Sequence, residues 1–344
     1  MLQIRSDGRY RDTAAESCRE TARGIYGGRV RTLNRKCAVI GCGFVGSTVA
    51  FSLMQSALFS EMVLIDIDFR KAEGEAEDIG HGMPFHAPME IYAGDYDDLV
   101  DASLIIITAG AGQRPGETRL DLVEKNTRIF RSILSEIVRY NSEAILLVVT
   151  NPVDILTYET LRYSGFPESR VIGSGTVLDT ARLKYLIGKE LRVDFRNVHA
   201  FIIGEHGDSE LPVWSSANIS GVDLDHYCGS CMDGPGNARL RELFSEVKDS
   251  AYRIIEGKGA TYYAIAESVR RIAEAIMRDE DTILPVSTLL TGQYGISDIC
   301  LSLPCVVGAG GIHRVLEIPL NEEERARLHR SAETIRQVID SVRG

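Results

Sequence analysis

The sequence predicts an α/β protein in which a doubly wound parallel sheet is followed by a mixed α+β domain. Between residues 36 and 150, near-continuously apolar runs alternate with helix-like stretches. Such runs are typical of parallel strands that helices cover on both faces. A glycine-rich turn, Gly41-Cys-Gly-Phe-Val-Gly46, also follows the first apolar run and opens the first helix. These two observations predict the fold class of the first half.

The individual elements follow from the periodicity of the apolar residues. In the first half, the predicted strands are 37–40, 62–67, 104–108 and 145–150, and the predicted helices are 44–56, 70–80 and 120–140. In the second half, the predicted helices are 176–191, 240–256, 262–278 and 321–342, and the predicted strands are 198–203, 286–290 and 299–307, the last two in an antiparallel hairpin. Asn321, with Glu324 three residues later, predicts a capping box on the last helix. We therefore expect one domain over 36–173 and a second over 174–344.

Length and composition exclude several classes of protein. The 344 residues are 44% hydrophobic and 25% charged, which is ordinary for a globular protein. No apolar run approaches the roughly 18 residues of a membrane span. The net charge of −11 provides no global attraction for nucleic acid or anionic membranes. We therefore expect neither as a partner, and an anionic substrate would need local cations.

The seven cysteines are scattered, and no secretory signal precedes them, which favours a reduced, cytoplasmic protein. Cys228 and Cys231 form one CxxC, but no second pair of ligands follows it, so we expect no metal. Residues 1–35 carry eight arginines and four acids. We expect this segment to be a poorly ordered extension. An oligomerisation arm and an upstream start codon are both compatible with it.

The glycine-rich turn has the context that a dinucleotide site requires. Glycines allow the backbone to approach a pyrophosphate at the helix N-terminus, and an acidic side chain after the second strand binds the ribose hydroxyls. Asp66 lies 20 residues beyond Gly46, at the end of the second apolar run. This pattern predicts a Rossmann-type dinucleotide-binding domain, and because a carboxylate repels a 2′-phosphate, it favours NAD over NADP. The alternative is a structural turn followed by an exposed aspartate. The expected cofactor contacts are Gly41, Gly43, Phe44, Val45, Gly46, Asp66, Thr108, Ala109, Gly110, Val149 and Asn151.

Four further segments carry a more specific pattern. They are AGAGQRPGETR (109–119), TNPVDILT (150–157), SGTVLDTAR (174–182) and IIGEHGDSELPVWS (202–215). In order and spacing they resemble the active-site loop, nicotinamide strand, substrate helix and histidine turn of the L-lactate and L-malate dehydrogenases. The resemblance runs from about residue 36 to about residue 342 and leaves out the N-terminal extension. It implies an NAD-dependent enzyme that transfers a hydride between NADH and a 2-keto acid, with the second domain binding the substrate.

The resemblance assigns proton transfer and substrate binding to three residues. Histidine exchanges protons near neutral pH, and His206 would be the acid in reduction and the base in oxidation. Asp179 and Arg182 are three residues apart and share one face of a helix. Asp179 would orient His206, and Arg182 would hold the substrate carboxylate in a two-pronged fork. The alternatives are a surface histidine in a turn and a surface ion pair.

The same resemblance makes 109–119 a loop that closes over the substrate. Arg119 would then polarise the substrate carbonyl once water is excluded. Asn151 would donate a hydrogen bond to the same oxygen, and we expect the Asn151–Pro152 peptide bond to be cis.

Gln113 occupies the position that faces the side group of the substrate in this family. Glutamine there fits the methyl group of pyruvate, whereas arginine pairs with the second carboxylate of oxaloacetate. Arg114 is one position out of register, and Thr261 matches a second pocket residue of the lactate enzymes. The resemblance therefore implies reversible reduction of pyruvate to L-lactate. The alternatives are malate dehydrogenase, a broader L-2-hydroxy-acid dehydrogenase, and a protein that binds NAD without catalysis.

Bacterial members of the family are often activated by fructose 1,6-bisphosphate, which binds between subunits against an arginine and a histidine. The matching residues are Lys184 and His199, and Lys184 keeps the charge but lacks the fork of arginine. The alternative is a helix-face lysine and an ordinary strand histidine. The resemblance also implies a homo-oligomer, expected to be a tetramer, that acts in the cytoplasm in glycolysis and fermentation.

Overall fold

The computed structural model describes residues 35–112, 116, 119–229 and 238–343, together with the short stretches 3–4 and 10–11. It divides into two units. In the first unit, Met1–Leu33, strands β1 (Gln3–Ile4) and β2 (Tyr10–Arg11) pair antiparallel. The expectation of a poorly ordered extension concerns residues that lie mostly outside the described ones. All other elements belong to the second unit, Asn34–Gly344.

The second unit consists of one large sheet, two small sheets and the helices around them. In chain order its strands are β3 (Lys36–Ile40), β4 (Glu61–Ile65), β5 (Glu90–Ala93), β6 (Leu104–Ile107), β7 (Ile145–Val148), β8 (Val171–Gly173), β9 (Val198–His199), β10 (Ile202–Ile203), β11 (Leu211–Pro212), β12 (Asn218–Ile219), β13 (Val222–Asp223), β14 (Thr282–Thr291), β15 (Ser297–Gly308) and β16 (Gly311–Val315). Its α-helices are α1 (Phe44–Gln55), α2 (Phe69–His81), α3 (Arg119–Tyr140), α4 (Val153–Ser164), α5 (Val177–Leu191), α6 (Leu224–Gly229), α7 (Ala238–Lys258), α8 (Tyr263–Met277) and α9 (Glu322–Arg343).

The large sheet has the strand order β16-β15-β14-β8-β7-β6-β3-β4-β5. The strands from β8 to β5 are parallel, and the chain winds outward from β3 in both directions. This is the doubly wound arrangement, in which ligands bind at the carboxyl ends of the strands where the winding direction changes. The predicted fold class is confirmed. The predicted hairpin is β14–β15, and it continues the same sheet because Ser287 pairs with Gly173 of β8.

Some strands differ from the prediction. Strands β5 and β8 were not predicted, because β8 has only three residues and β5 is not buried enough to form a continuous apolar run. The predicted strand 198–203 is two strands in different sheets. Its first part, β9, pairs with β12, whereas its second part, β10, pairs with β11. A single apolar run therefore serves two small sheets.

Packing on the two halves of the large sheet explains where the helices lie. In the first half, Ile105, Ile107 and Val148 are fully buried in a cluster that includes Phe130 and Ile137 of α3. In the second half, residues of β15 pack with the apolar stripe of α9, which comprises Leu328, Ala332, Ile335 and Ile339. Burial of each large apolar side chain contributes about 1.5–3 kcal/mol. This apolar stripe is therefore the face that attaches the last helix to the sheet.

The start of α9 is fixed by the predicted capping box. Asn321 Oδ1 accepts a hydrogen bond from the Glu324 N–H at 2.9 Å, and Glu324 Oε2 accepts one from the Asn321 N–H at 3.0 Å. Glu324 also accepts a hydrogen bond from the Ser215 N–H at 2.9 Å, which ties the helix to the chain after β11. Over the described part of the chain, every helix is too short or too polar to cross a bilayer.

Candidate active site

The glycine-rich turn follows β3 at the edge where the winding direction of the sheet changes. Gly41 has a φ of +100°, and a Cβ there would lie 2.5 Å from the backbone of Ala109. A Cβ on Gly46 would lie 1.8 Å from the carbonyl oxygen of Gly41. A Cβ on Gly43 would meet nothing within 4 Å. Two glycines are therefore required for the turn itself, and the third leaves open space at the N-terminus of α1.

Asp66, just beyond β4, lies against this turn. Its Oδ2 accepts a hydrogen bond from the Cys42 N–H at 2.6 Å, and its Oδ1 accepts one from the Asp68 N–H at 3.0 Å. The carboxylate thus fixes the glycine turn and lies at the end of the strand next to it. Phe44, the first residue of α1, and Ile67 are exposed. The open turn, the helix N-terminus and the acidic side chain fit a dinucleotide.

The remaining expected cofactor residues lie at the same edge, after β6 and β7. The Thr108 hydroxyl donates to the carbonyl oxygen of Gly41 at 2.7 Å, and the Thr150 hydroxyl donates to that of Ala109 at 2.9 Å. A Cβ on Gly110 would lie 2.3 Å from Cγ2 of Thr150. The ends of β3, β6 and β7 are therefore joined in one surface. Val45 lies in the first turn of α1, and Val149 directly follows β7 and is buried.

The three residues proposed for proton transfer and substrate binding meet in the second half of the molecule. Asp179 and Arg182 lie on α5, and His206 follows β10. The Oδ2 of Asp179 is 2.6 Å from Nδ1 of His206, and Nη1 of Arg182 donates to Oδ1 of Asp179 at 2.9 Å. The Asp179 side chain is 4% exposed and that of His206 is 23% exposed. The alternatives of a surface histidine and a surface ion pair do not describe this buried arrangement.

The charges of this cluster determine its protonation. Burial alone would lower the pKa of His206, but the neighbouring Asp179 carboxylate outweighs it and raises that pKa to about 9. Burial would likewise raise the pKa of Asp179, but the positive charges of His206 and Arg182 hold it below its ordinary value. At neutral pH the cluster therefore contains an imidazolium, a carboxylate and a guanidinium. Because Nδ1 faces Asp179, Nε2 is the ring nitrogen left to exchange a proton with a ligand.

A buried aspartate that the sequence analysis did not single out holds the backbone of His206. Asp154 of α4 accepts a hydrogen bond from the His206 N–H at 2.7 Å and one from the Ser287 hydroxyl at 2.6 Å. Burial is the main cause that raises the pKa of Asp154 to about 6. Asp154 lies inside the TNPVDILT segment, but its partner Ser287 is 133 residues away. The sequence motif identified the segment, but the role of Asp154 in holding the His206 backbone follows only from the fold.

Asn126 of α3 is a second unpredicted residue of the site. Its Nδ2 donates to the carbonyl oxygens of Asn151 at 2.9 Å and Ala111 at 3.2 Å, and its Oδ1 accepts from the Ala111 N–H at 2.8 Å. The Asn151–Pro152 peptide bond is cis, as expected. Asn126 therefore connects the end of β7 to the beginning of the 109–119 segment.

Several predicted residues are placed only in part. Gln113 and Arg114 lie outside the described residues, and Arg119 is the first residue of α3, with no described side chain. Thr261 lies between α7 and α8 and is half-buried. Of the two CxxC cysteines, Cys228 lies in α6 without a described side chain, and Cys231 falls outside the described residues.

The two residues of the expected effector site lie on neighbouring elements. Lys184 is half-buried on α5, and His199 is exposed on β9, which packs against that helix. Burial lowers the pKa of Lys184. Among the described residues, no carboxylate pairs with this lysine, so its positive charge is available on a helix that packs against the strand of the exposed histidine.

Comparison with known proteins agrees with this architecture. The model of the lactate/malate dehydrogenase NAD binding domain matches residues 35–173, and that of the alpha/beta C-terminal domain of the same family matches residues 176–343. The L-lactate dehydrogenase of Acetivibrio thermocellus is 56% identical over 308 residues, which cover 90% of this chain and 97% of that protein. L-lactate dehydrogenase 1 of Clostridium acetobutylicum is 53% identical over 310 residues, which cover 90% and 99% of the two chains.

Solved structures give the same result. A lactate dehydrogenase, MGS-M5, from a Medee basin deep-sea metagenome library has a TM-score of 0.87 at 44% identity, covering 90% of this chain and 99% of its own. The minor L-lactate dehydrogenase of Enterococcus mundtii has a TM-score of 0.87 at 41% identity with the same coverage. With both domain models matched in order over almost the whole second unit, this chain belongs to the lactate/malate dehydrogenase family.

Proposed function

We propose that this protein is an NAD-dependent L-lactate dehydrogenase that reduces pyruvate to L-lactate and catalyses the reverse oxidation. The observation that carries the proposal is the buried cluster of His206, Asp179 and Arg182, in which a protonated imidazole lies beside a guanidinium. A proton donor next to a carboxylate-binding cation is what reduction of a 2-oxo acid requires. Relatives that are 51–56% identical over about 90% of the chain and carry the name L-lactate dehydrogenase support the choice of substrate.

The cofactor contributes the hydride, and the residues of this chain bind, orient and protonate. Gly41, Gly43 and Gly46 keep the turn open for a pyrophosphate at the N-terminus of α1, with Phe44 and Val45 in its first turn. The carboxylate of Asp66 is placed for the ribose hydroxyls. Thr108, Ala109, Gly110, Val149 and Asn151 continue this surface towards the substrate.

Arg182 holds the carboxylate of pyruvate, and its hydrogen bond to Asp179 fixes the orientation of the guanidinium. His206 donates the Nε2 proton to the carbonyl oxygen as the keto carbon is reduced. Asp179 stabilises the imidazolium before this step and keeps Nδ1 protonated after it, as the aspartate does in a Ser-His-Asp triad. In lactate oxidation the same Nε2 accepts the hydroxyl proton.

We assign carbonyl polarisation to Arg119 and Asn151, and selection of the side group to Gln113 and Thr261. Burying the second carboxylate of oxaloacetate against Gln113 without a cation would cost roughly 2–5 kcal/mol. That penalty corresponds to a preference for pyruvate of about 10²–10⁴. Arg114 is the cation that would weaken this selection if it reached the pocket.

The finer properties of the enzyme are also proposals. We place it in the cytoplasm as a homotetramer of glycolysis and fermentation, with residues 36–173 and 174–344 as its two domains. Fructose 1,6-bisphosphate would bind between subunits against Lys184 and His199. The support is a half-buried lysine on α5 and an exposed histidine on β9, the strand that packs against this helix.

The test follows the loss of NADH absorbance with pyruvate and with oxaloacetate, each with and without fructose 1,6-bisphosphate. We expect pyruvate to be preferred by about a hundredfold or more. Equal or greater activity with oxaloacetate would overturn the assignment to lactate and favour malate dehydrogenase. Activity on neither substrate would leave an NAD-binding protein without this activity. Stimulation by the bisphosphate that disappears in Lys184→Ala would support the effector site.

A further inference from the structure

A second buried carboxyl group faces the catalytic cluster and has no part in the mechanism above. Glu210 precedes β11 and is 4% exposed. One oxygen of its carboxyl group, one of Asp179 and a ring nitrogen of His206 all lie within 4.8 Å of one another. Among the described residues, none donates a hydrogen bond to the Glu210 side chain. An acid without such partners is a costly group to bury and calls for an explanation.

The charged groups around this carboxyl group come from each of the elements packed against it. Asp179 and Arg182 face it from α5, Lys248 faces it from α7, and His206 faces it from its own loop. Asp154 approaches His206 from α4, and Glu205 precedes that histidine. Lys248 is held in place because its Nζ donates to the carbonyl oxygen of Asp208 at 2.7 Å.

These surroundings keep Glu210 protonated at neutral pH. Burial, reinforced by the Asp179 carboxylate, raises the pKa of Glu210 to about 9, and the charges of His206, Lys248 and Arg182 only partly oppose this. His206 has its pKa in the same range. Two groups this close therefore lose their protons as a coupled pair. After the pair has lost one proton, it can be an imidazolium beside a carboxylate or a neutral imidazole beside a neutral carboxyl group. Attraction between the opposite charges favours the first state, so the first proton comes from Glu210.

We propose that Glu210 is a positioning residue that keeps the proton on His206 as the solution becomes alkaline. Its ionisation places a second negative charge next to the imidazolium, and pyruvate reduction continues to a higher pH than Asp179 alone would allow. The proposal deepens the function proposed above and rests on the acid role of His206 in it.

The test compares wild type with Glu210→Gln, which keeps the shape of the side chain and cannot ionise. The readout is the alkaline midpoint of kcat/KM for pyruvate, since this midpoint reports the free enzyme. An opposite charge within about 4–6 Å moves a pKa by about 1–3 units, so we expect the midpoint to fall by one unit or more. At the wild-type midpoint this is a loss of roughly fivefold or more, with little change at neutral pH.

Glu210→Asp should recover part of the midpoint, because it restores an ionisable group. Asp249→Asn removes one acid from the exposed face of α7 and should leave the midpoint unchanged. An unchanged midpoint in Glu210→Gln, with activity lowered equally at every pH, would mean that Glu210 serves only packing. A midpoint that rises would mean that ionised Glu210 prevents substrate binding. Either result overturns the proposal.

A second measurement does not depend on turnover. The rate at which diethyl pyrocarbonate modifies His206, read by mass spectrometry of its peptide, follows the fraction of neutral imidazole. Glu210→Gln should move the midpoint of this rate to lower pH by the same amount. This readout still tests Glu210 if neither 2-oxo acid is reduced, whereas the failure of both substrates would overturn only the proposed function. If Glu210→Gln does not fold, Glu210→Ala removes the same ionisable group and should move the midpoint in the same direction.

Discussion

Asp179→Asn tests the electrostatic account of the site most directly. Asp179 is the one described side chain that contacts both His206, at 2.6 Å, and Arg182, at 2.9 Å. Asparagine has nearly the same shape and has no charge. The substitution should therefore leave the fold and NADH binding in place and remove the carboxylate that stabilises the imidazolium.

The magnitude follows from the pKa of His206. That pKa is about 9 in the folded protein against 6.5 for a free histidine. The difference of about 2.5 units corresponds to about 3.4 kcal/mol of stabilisation of the charged ring. Since burial by itself lowers this pKa, the variant should have a His206 pKa at or below the free value. At a pH of about 8, the protonated fraction would fall about thirtyfold, whereas at a pH of about 6 it would change little.

The assay is kcat/KM for pyruvate reduction across this pH range, with NADH affinity as the control for folding. We expect a midpoint near pH 9 in wild type and about 2.5 units lower in the variant. Lactate oxidation should fall at all pH values, because an asparagine amide that donates to Nδ1 leaves the proton on Nε2. A variant whose alkaline midpoint stays within half a unit of wild type would show that Asp179 does not stabilise the imidazolium.

Four further substitutions test other parts of the site. Gly46→Ala should lower both stability and NADH affinity, because its Cβ would lie 1.8 Å from a backbone oxygen. Gly43→Ala should lower NADH affinity alone, because its Cβ would meet nothing within 4 Å. Thermal unfolding and NADH titration distinguish the two variants, and equal stabilities would contradict the steric argument. Arg182→Lys should raise the KM for pyruvate by roughly 10- to 150-fold, because one charge-assisted hydrogen bond is worth about 1.5–3 kcal/mol, with NADH binding unchanged in the same titration. Asp154→Asn should flatten the pH dependence of stability. Burial raises the folded pKa of Asp154 to about 6 from 3.8, so wild type loses about 2 kcal/mol of stability as the pH rises from about 4 to about 6. Urea unfolding at both pH values measures this loss, and a variant with the same loss as wild type would contradict its assignment to Asp154.

The parts of the molecule that local sequence determines were predictable. Gly41 is required by its φ of +100° and Gly46 by its close approach to the carbonyl oxygen of Gly41, both within a single turn, and Asn321 with Glu324 caps a helix across three residues. The near-continuous apolar strands likewise predicted a sheet buried on both faces. In each case the physical cause lies within a short stretch of chain, so the order of the residues was enough to identify it.

Contacts between distant segments were not predictable in the same way. The single apolar run at 198–203 serves two sheets because its partners, β11 and β12, come later in the chain. Asp154 is hydrogen-bonded to Ser287, 133 residues later in the chain, and Asn126 is hydrogen-bonded to Asn151, 25 residues later. A polar residue within an apolar helix looks the same in sequence whether its partner is solvent, a backbone amide or the catalytic histidine. Its function therefore follows only from the fold.

Three buried acids whose charges act on His206 show how far the surroundings, rather than the residue type, determine the chemistry. All three are buried, and they differ in what approaches them. Asp179 contacts an imidazolium and a guanidinium, and its pKa lies below the ordinary value. Asp154 receives two hydrogen bonds from neutral groups, and its pKa is about 6. Glu210 receives none from the described residues, and its pKa is about 9.

This order has a consequence for the net charge of the site. At neutral pH, Asp179 and Asp154 are ionised, whereas Glu210 is neutral, so His206 and Arg182 face two negative charges instead of three. An anionic substrate is attracted more strongly than it would be if all three acids were charged. As the pH rises, the proton leaves Glu210 before it leaves His206, and the new negative charge lies close to the imidazolium, which therefore keeps its proton to a higher pH.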